Sequence, residues 1–94
     1  MPKNRLIVSY DIQDNKLRTK FSKFLQKQGV RIQYSVFEIS HSDRKLRLIC
    51  DQIEMQFKPK FTNADSVLLY KVDLKDTIAY GNASFLDDDL IIIG

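Results

Sequence analysis

Cysteine is nearly absent. Cys50 stands alone in 94 residues, which excludes an intrachain disulfide framework and a CxxC metal site. Tryptophan is missing, and glycine and proline number only three and two. With so few chain breakers, no low-complexity segment and no repeat, no domain boundary is evident. The chain therefore reads as one domain over 1–94, with a core over 1–75 and a C-terminal extension over 76–94. No apolar run reaches membrane-spanning length and no segment has signal-peptide form. The expectation is a cytoplasmic protein with no membrane contact. The one histidine, His41, falls in an expected loop and is expected to be solvated.

What the chain does have is a core's worth of apolar residues, 44%, enough for one small domain but marginal for a monomer, so self-association is expected. Net charge is only +3, yet residues 1–47 hold eleven Lys/Arg against four Asp/Glu, and residues 48–94 hold four against eight. That asymmetry suggests one surface that attracts polyanions, although a solvated charged face would give the same count.

The stretch Arg5-Leu6-Ile7-Val8-Ser9-Tyr10-Asp11-Ile12 organises the rest. Leu6 to Val8 reads as a strand buried on both faces, and Gln13-Asp14-Asn15 as turn and helix-start chemistry. Asp14 caps a helix to about Gln28, with Leu17, Phe21, Phe24, Leu25 and Gln28 on its core face and Gly29 as its C′ residue. Val30 to Ile39 would span roughly 33 Å as one strand, long for so small a domain. Two short strands reversing near Tyr34-Ser35 fit better. Ser42 or Asp43 opens a second helix to about Phe57, with Leu46, Ile49, Cys50, Ile53 and Phe57 on one face and Pro59 closing it. Ser66 to Asp73 is a fourth strand. The order β-α-β-β-α-β predicts an α+β, ferredoxin-like fold. The apolar run Leu90–Ile93 adds a C-terminal strand that either completes its own sheet or extends a partner's, and exchange in a dimer is the favoured reading.

Asp11, a carboxylate at the C-terminal end of a central strand, is the candidate reactive centre, against the simpler reading of a turn-forming aspartate. Ser9 and Ser35 have no neighbouring base in sequence to make them nucleophiles. Cys50 lies on the apolar stripe and is expected in the core.

Two segments together are specific: Tyr10-Asp11-Ile12 followed by Asp14 and Arg18, and Gly29-Val30-Arg31-Ile32-Gln33-Tyr34-Ser35-Val36-Phe37-Glu38. They resemble the CRISPR-associated protein 2 family over roughly Arg5 to Val72. The resemblance implies a ferredoxin-like fold, a symmetric homodimer extended by C-terminal strands, and an Asp11 pair facing across the dimer axis to share one divalent metal, Mg²⁺. It implies metal-dependent nuclease activity on RNA or DNA, and a scaffold role beside a CRISPR integrase subunit during spacer integration. Lys20 stands where the family often carries another arginine, which keeps the charge but loses the bidentate fork. Residues 76–89 match no family pattern.

Hydrolysing a phosphodiester needs charge on the phosphate and an activated water, which an oxygen-ligated cation supplies. Mg²⁺ takes one or two carboxylates and several waters, so Asp11 makes an adequate site only when doubled in a dimer. The expected catalytic set is Asp11, Tyr10, Arg18, Arg31 and Phe37. Arg18 and Arg31 would clamp phosphate oxygens, Tyr10 would hold a water or stack on a base, and Phe37 would shape the groove; aromatics in such positions are more often core or interface residues than catalytic ones. Lys16, Arg18, Lys20 and Arg31, with Lys23, Lys27, Arg44, Lys45 and Arg47 behind them, form the expected surface for a DNA or RNA backbone. Two other functions share this fold: a free-standing, toxin-like RNA-cleaving nuclease, and a DNA clamp whose Asp11 pair cleaves nothing.

Overall fold

In the computed structural model, which describes residues 5–80 and 91–93, β1 (Arg5–Asp11) lies inside a four-stranded sheet. Its neighbours β3 (Val36–Ser40) and β4 (Ser66–Val72) both run antiparallel to it, and β2 (Val30–Gln33) lies beyond β3, giving the order β2-β3-β1-β4. The helices α1 (Asn15–Gln26) and α2 (Asp43–Gln52) complete the split βαβ, ferredoxin-like α+β fold. The reversal between β2 and β3 falls at Tyr34-Ser35, and the register shifts between Arg31 and Gln33.

One core fills the space between the sheet and the helices. Leu6, Val8 and Tyr10 of β1 and Phe37 and Ile39 of β3 meet Leu17, Phe21 and Leu25 of α1 and Ile49 of α2 there. Phe21 sits at its centre, edge-on to Tyr10 and Phe57 with ring centroids 5.2 and 5.0 Å away. Because the helices cover one face only, β1 alternates instead of being buried on both faces as its apolar run suggests. Leu6, Val8 and Tyr10 are buried, whereas Ile7 and Ser9 on the other face are half-buried and Asp11 is exposed. That open face keeps Val30, Leu68 and Tyr70 largely exposed and carries an ion pair between Arg5 Nε and the buried Glu38 carboxylate at 2.9 Å.

Local chemistry sets the helix ends. Asp14 caps α1 by accepting the Leu17 N–H at 2.8 Å, and Ser42 caps α2 from Lys45 at 3.2 Å. After Gln52 the helix widens into a π turn over Ile53–Phe57, in which the Lys58 N–H reaches back to the Ile53 carbonyl. Ile49, Ile53 and Phe57 are buried along this stripe, but Cys50 is exposed, contrary to its expected core position. It stands one residue, about 100°, round the helix from Ile49. His41 differs in the opposite sense: it is buried, with Nδ1 3.2 Å from the Ser42 carbonyl. The short strand β5 (Ile78–Tyr80) pairs in parallel with β6 (Ile91–Ile93) of the same chain. Leu90 and Asp87-Asp88-Asp89 lie outside the described residues. Among the described residues no helix is long and apolar enough to cross a membrane.

Gly29 has a different reason from the helix-ending one its position suggests. Its backbone is not left-handed, and a Cβ placed there would lie 2.1 Å from the Glu38 carbonyl oxygen and 2.8 Å from Ile39 Cγ1. The chain leaving α1 passes too close to β3 for any side chain. Gly29→Ala is therefore expected to cost about 1–3 kcal/mol, the range for overpacking, read as a lower urea midpoint with an unchanged slope.

Candidate functional site

Asp11 closes β1 opposite Ser66 of β4. Strand alternation puts its carboxylate on the open face, while Tyr10 turns to the helix side. The Gln13 side-chain amide donates to Asp11 Oδ1 at 3.1 Å and also lies 3.4 Å from the Ala64 carbonyl. The Gln13 backbone N–H donates in turn to Asp65 Oδ1 at 2.8 Å. The other oxygen of Asp65 accepts the Thr62 N–H at 2.8 Å and its hydroxyl at 3.2 Å. Hydrogen bonds from the Thr62 and Gln13 backbone N–H groups hold the Asp65 carboxyl below its ordinary value of 3.8.

The same loop is tied from the helix side by Arg18. Its Nη1 donates to the Ile12 carbonyl at 2.9 Å and lies 3.4 Å from that of Gln13, and Nη2 donates to Asn15 Oδ1. The half-buried Arg18 thus spends its donors on the β1–α1 turn. Arg31 of β2 lies across from Phe37. Its guanidinium sits 5.2 Å over the Phe37 ring and donates to Ser22 Oγ of α1. Phe37 is fully buried and stacks at 6.3 Å on the buried Tyr10.

Tyr10, Arg18, Lys23, Arg31 and the exposed Tyr34 line a cleft of about 270 Å³ beside α1, with Phe37 buried on the same side of the sheet beneath the Arg31 guanidinium. Four of the five expected catalytic residues therefore meet on the helix side, and Asp11 lies across the sheet from them. Lys20 lines a second groove of about 650 Å³, between α1 and the π turn, with Lys23, Lys27 and Lys60. Lys16 is exposed near the start of α1. Basic clefts thus flank α1 on both sides. Sequence reasoning missed Gln13, Asp65 and Lys60 as site residues. Gln13 and Asp65 are 52 positions apart, and no local pattern joins them.

As a metal ligand set this is spare. Among the described residues no three His, Cys, Asp or Glu side chains cluster. Asp11 offers an exposed, hard carboxylate oxygen of the kind a largely hydrated Mg²⁺ accepts, so the residues present fit such an ion as a single anchor and not as a cage.

A split βαβ sheet with a rim carboxylate and an arginine-lined cleft defines a class of small α+β proteins. The family described as CRISPR associated protein Cas2 matches residues 4–77, and the chain belongs to that family. A Chloroflexus aurantiacus protein named CRISPR-associated endoribonuclease Cas2 3 is 36% identical over 78 residues, covering 80% of this chain and 81% of its own. Among solved structures, hypothetical protein TT1823 from Thermus thermophilus is similar with a TM-score of 0.65 at 30% identity, over 74% of this chain and 82% of that one. A chain from a partial Cas6-RT-Cas1–Cas2 complex is similar with a TM-score of 0.55 at 34% identity, over 78% of this chain and 81% of that one.

The depressed Asp65 carboxyl carries a pH signature. A group whose folded pKa lies below its unfolded value stabilises the fold above the unfolded value and loses that contribution as pH falls through the folded one. The Gln13 backbone amide should therefore stay protected from hydrogen exchange as pH drops to 3.8, and open only below it; Asp65→Asn should remove the dependence.

Proposed function

We propose that this chain is a homodimeric, nucleic-acid-binding subunit of CRISPR adaptation that carries a metal-dependent endonuclease site at Asp11. The observation that carries this reading is the exposed Asp11 carboxylate at the rim of the open sheet face, the face that also leaves Val30, Leu68 and Tyr70 exposed. An apolar sheet face of this kind is a natural two-fold contact. Joining two such faces would bring the two Asp11 rims toward one axis. Two carboxylates there repel unless a cation lies between them.

The two Asp11 carboxylates, one from each protomer, would then share a single Mg²⁺. The ion, when bound, supplies positive charge to the scissile phosphate and lowers the pKa of a bound water. The chain's own residues do the rest. Arg31, preset over Phe37 and exposed at the cleft, offers a guanidinium to phosphate oxygens. Lys20, in the groove on the other side of α1, and the exposed Lys16 add positive charge for a nucleic-acid backbone. Arg18 fixes the loop that follows Asp11, Tyr10 lines the cleft, and Phe37 lies buried under the Arg31 guanidinium. A strand bound in the cleft must cross the rim of the sheet to reach Asp11, so binding and cutting occupy separate surfaces. Similarity to a chain that assembles with Cas1 supports an integrase subunit as the protein partner.

Labelled single-stranded RNA and duplex DNA, incubated with wild type and Asp11→Ala in Mg²⁺ or EDTA, test the site. Expected is metal-dependent cleavage that falls at least a hundredfold in the variant, with the fold unchanged. Equal cleavage by both proteins would remove Asp11 from the chemistry. Absence of cleavage in both, with duplex binding intact, would leave the clamp function alone.

Binding makes a separate prediction. Arg31→Ala and Lys20→Ala should each weaken duplex binding across all sequences and lower the slope of log K against log salt by about 1. A change confined to particular sequences would mean base readout instead.

A further inference from the structure

We infer that Gln13 and Asp65 are positioning residues for Asp11: Asp65 anchors the Gln13 backbone, and the Gln13 amide holds one Asp11 oxygen so that the other faces outward for a cation. This rests on Asp11 being the metal-binding carboxylate proposed above.

The wiring follows from the hydrogen-bond chemistry. An exposed aspartate at the end of a strand has two free side-chain torsions, and a cation bound to it must freeze them. Here Asp11 Oδ1 already accepts from Gln13 Nε2 at 3.1 Å. The orientation of that amide is forced, because its second neighbour, the Ala64 carbonyl at 3.4 Å, is also an acceptor. Only the NH₂ end, with two hydrogens, can face both. Gln13 is itself fixed at the main chain by Asp65 Oδ1 at 2.8 Å. Asp65 precedes Ser66, which pairs with Asp11 in the sheet. The chain of contacts therefore closes into a ring: Asp11 to Gln13, Gln13 to Asp65, and Asp65 through β4 back to Asp11. Among the described residues nothing else donates to Asp11, so Oδ2 is the atom left for the ion. Outer partners of this kind orient metal ligands and tune affinity.

The test combines two readouts on the full chain. In ¹⁵N-resolved NMR spectra, Asp11→Asn and Asp65→Ala should each shift the Gln13 side-chain amide signals while the remaining spectrum stays native. In Mn²⁺ titrations followed by electron paramagnetic resonance, Gln13→Ala and Asp65→Ala should each weaken binding roughly tenfold. Because both act through one path, the double variant should bind no more weakly than Gln13→Ala. Asp65→Asn, which keeps one acceptor and the turn, should lose less. A Gln13 amide indifferent to Asp65→Ala, or losses that multiply in the double variant, would overturn the inference. If wild type binds no Mn²⁺ while the Gln13 amide still responds to both changes, the positioning stands and the metal site at Asp11 falls.

Discussion

The side-chain alternation of β1 governs everything else in the site. A strand places successive side chains on opposite faces, so Tyr10 and Asp11, adjacent in sequence, cannot share a surface. With β3 and β4 paired on its two sides, β1 cannot slip by one residue without moving Leu6, Val8 and Tyr10 out of the core. The core therefore dictates where the carboxylate goes. Burying Tyr10 against Phe21 and Phe37 is the same act as presenting Asp11 on the open face.

That separation divides the labour of the basic residues. Arg31 keeps an exposed guanidinium oriented by an aromatic ring and a serine hydroxyl. Arg18 is half-buried with its donors on loop acceptors. A guanidinium so engaged gives up existing hydrogen bonds before it can hold a phosphate, whereas Arg31 gives up little. On the proposed nucleic-acid-binding function, the lysines around α1 would act by long-range attraction and Arg31 would be the oriented contact.

Most of the architecture was legible because it rests on local signals. Asp14 and Ser42 cap the helices, the periodicity of Leu17, Phe21 and Leu25 faces the core, and the length of Val30–Ile39 favours a break there, which the family resemblance puts within Gln33-Tyr34-Ser35. What was illegible depends on long-range geometry. Gly29 is required by the Glu38 carbonyl, not by the end of α1. Cys50 belongs to the apolar stripe by residue type and misses it by one helical step. His41 is buried although its neighbours suggest an open loop. Asp11, Arg18 and Arg31 stood out as chemistry-bearing residues, but their distribution over two faces needed the sheet register. Gln13 and Asp65 carried no signal, because the contact that gives them meaning joins the first loop to the last turn before β4.

The open face and the helix face place different demands on one small sheet. The helix face is closed by packing; its aromatic core leaves little room for movement. The open face is held by the Arg5–Glu38 ion pair and the Gln13 and Asp65 hydrogen bonds, with exposed apolar side chains between them. Hydrogen bonds and ion pairs specify direction without supplying much burial energy. Such a surface can keep Asp11 aimed while leaving its apolar area available to a second protein face. A single carboxylate per chain is then no deficiency. In the proposed homodimer, the fold would supply one well-directed ligand and symmetry the other.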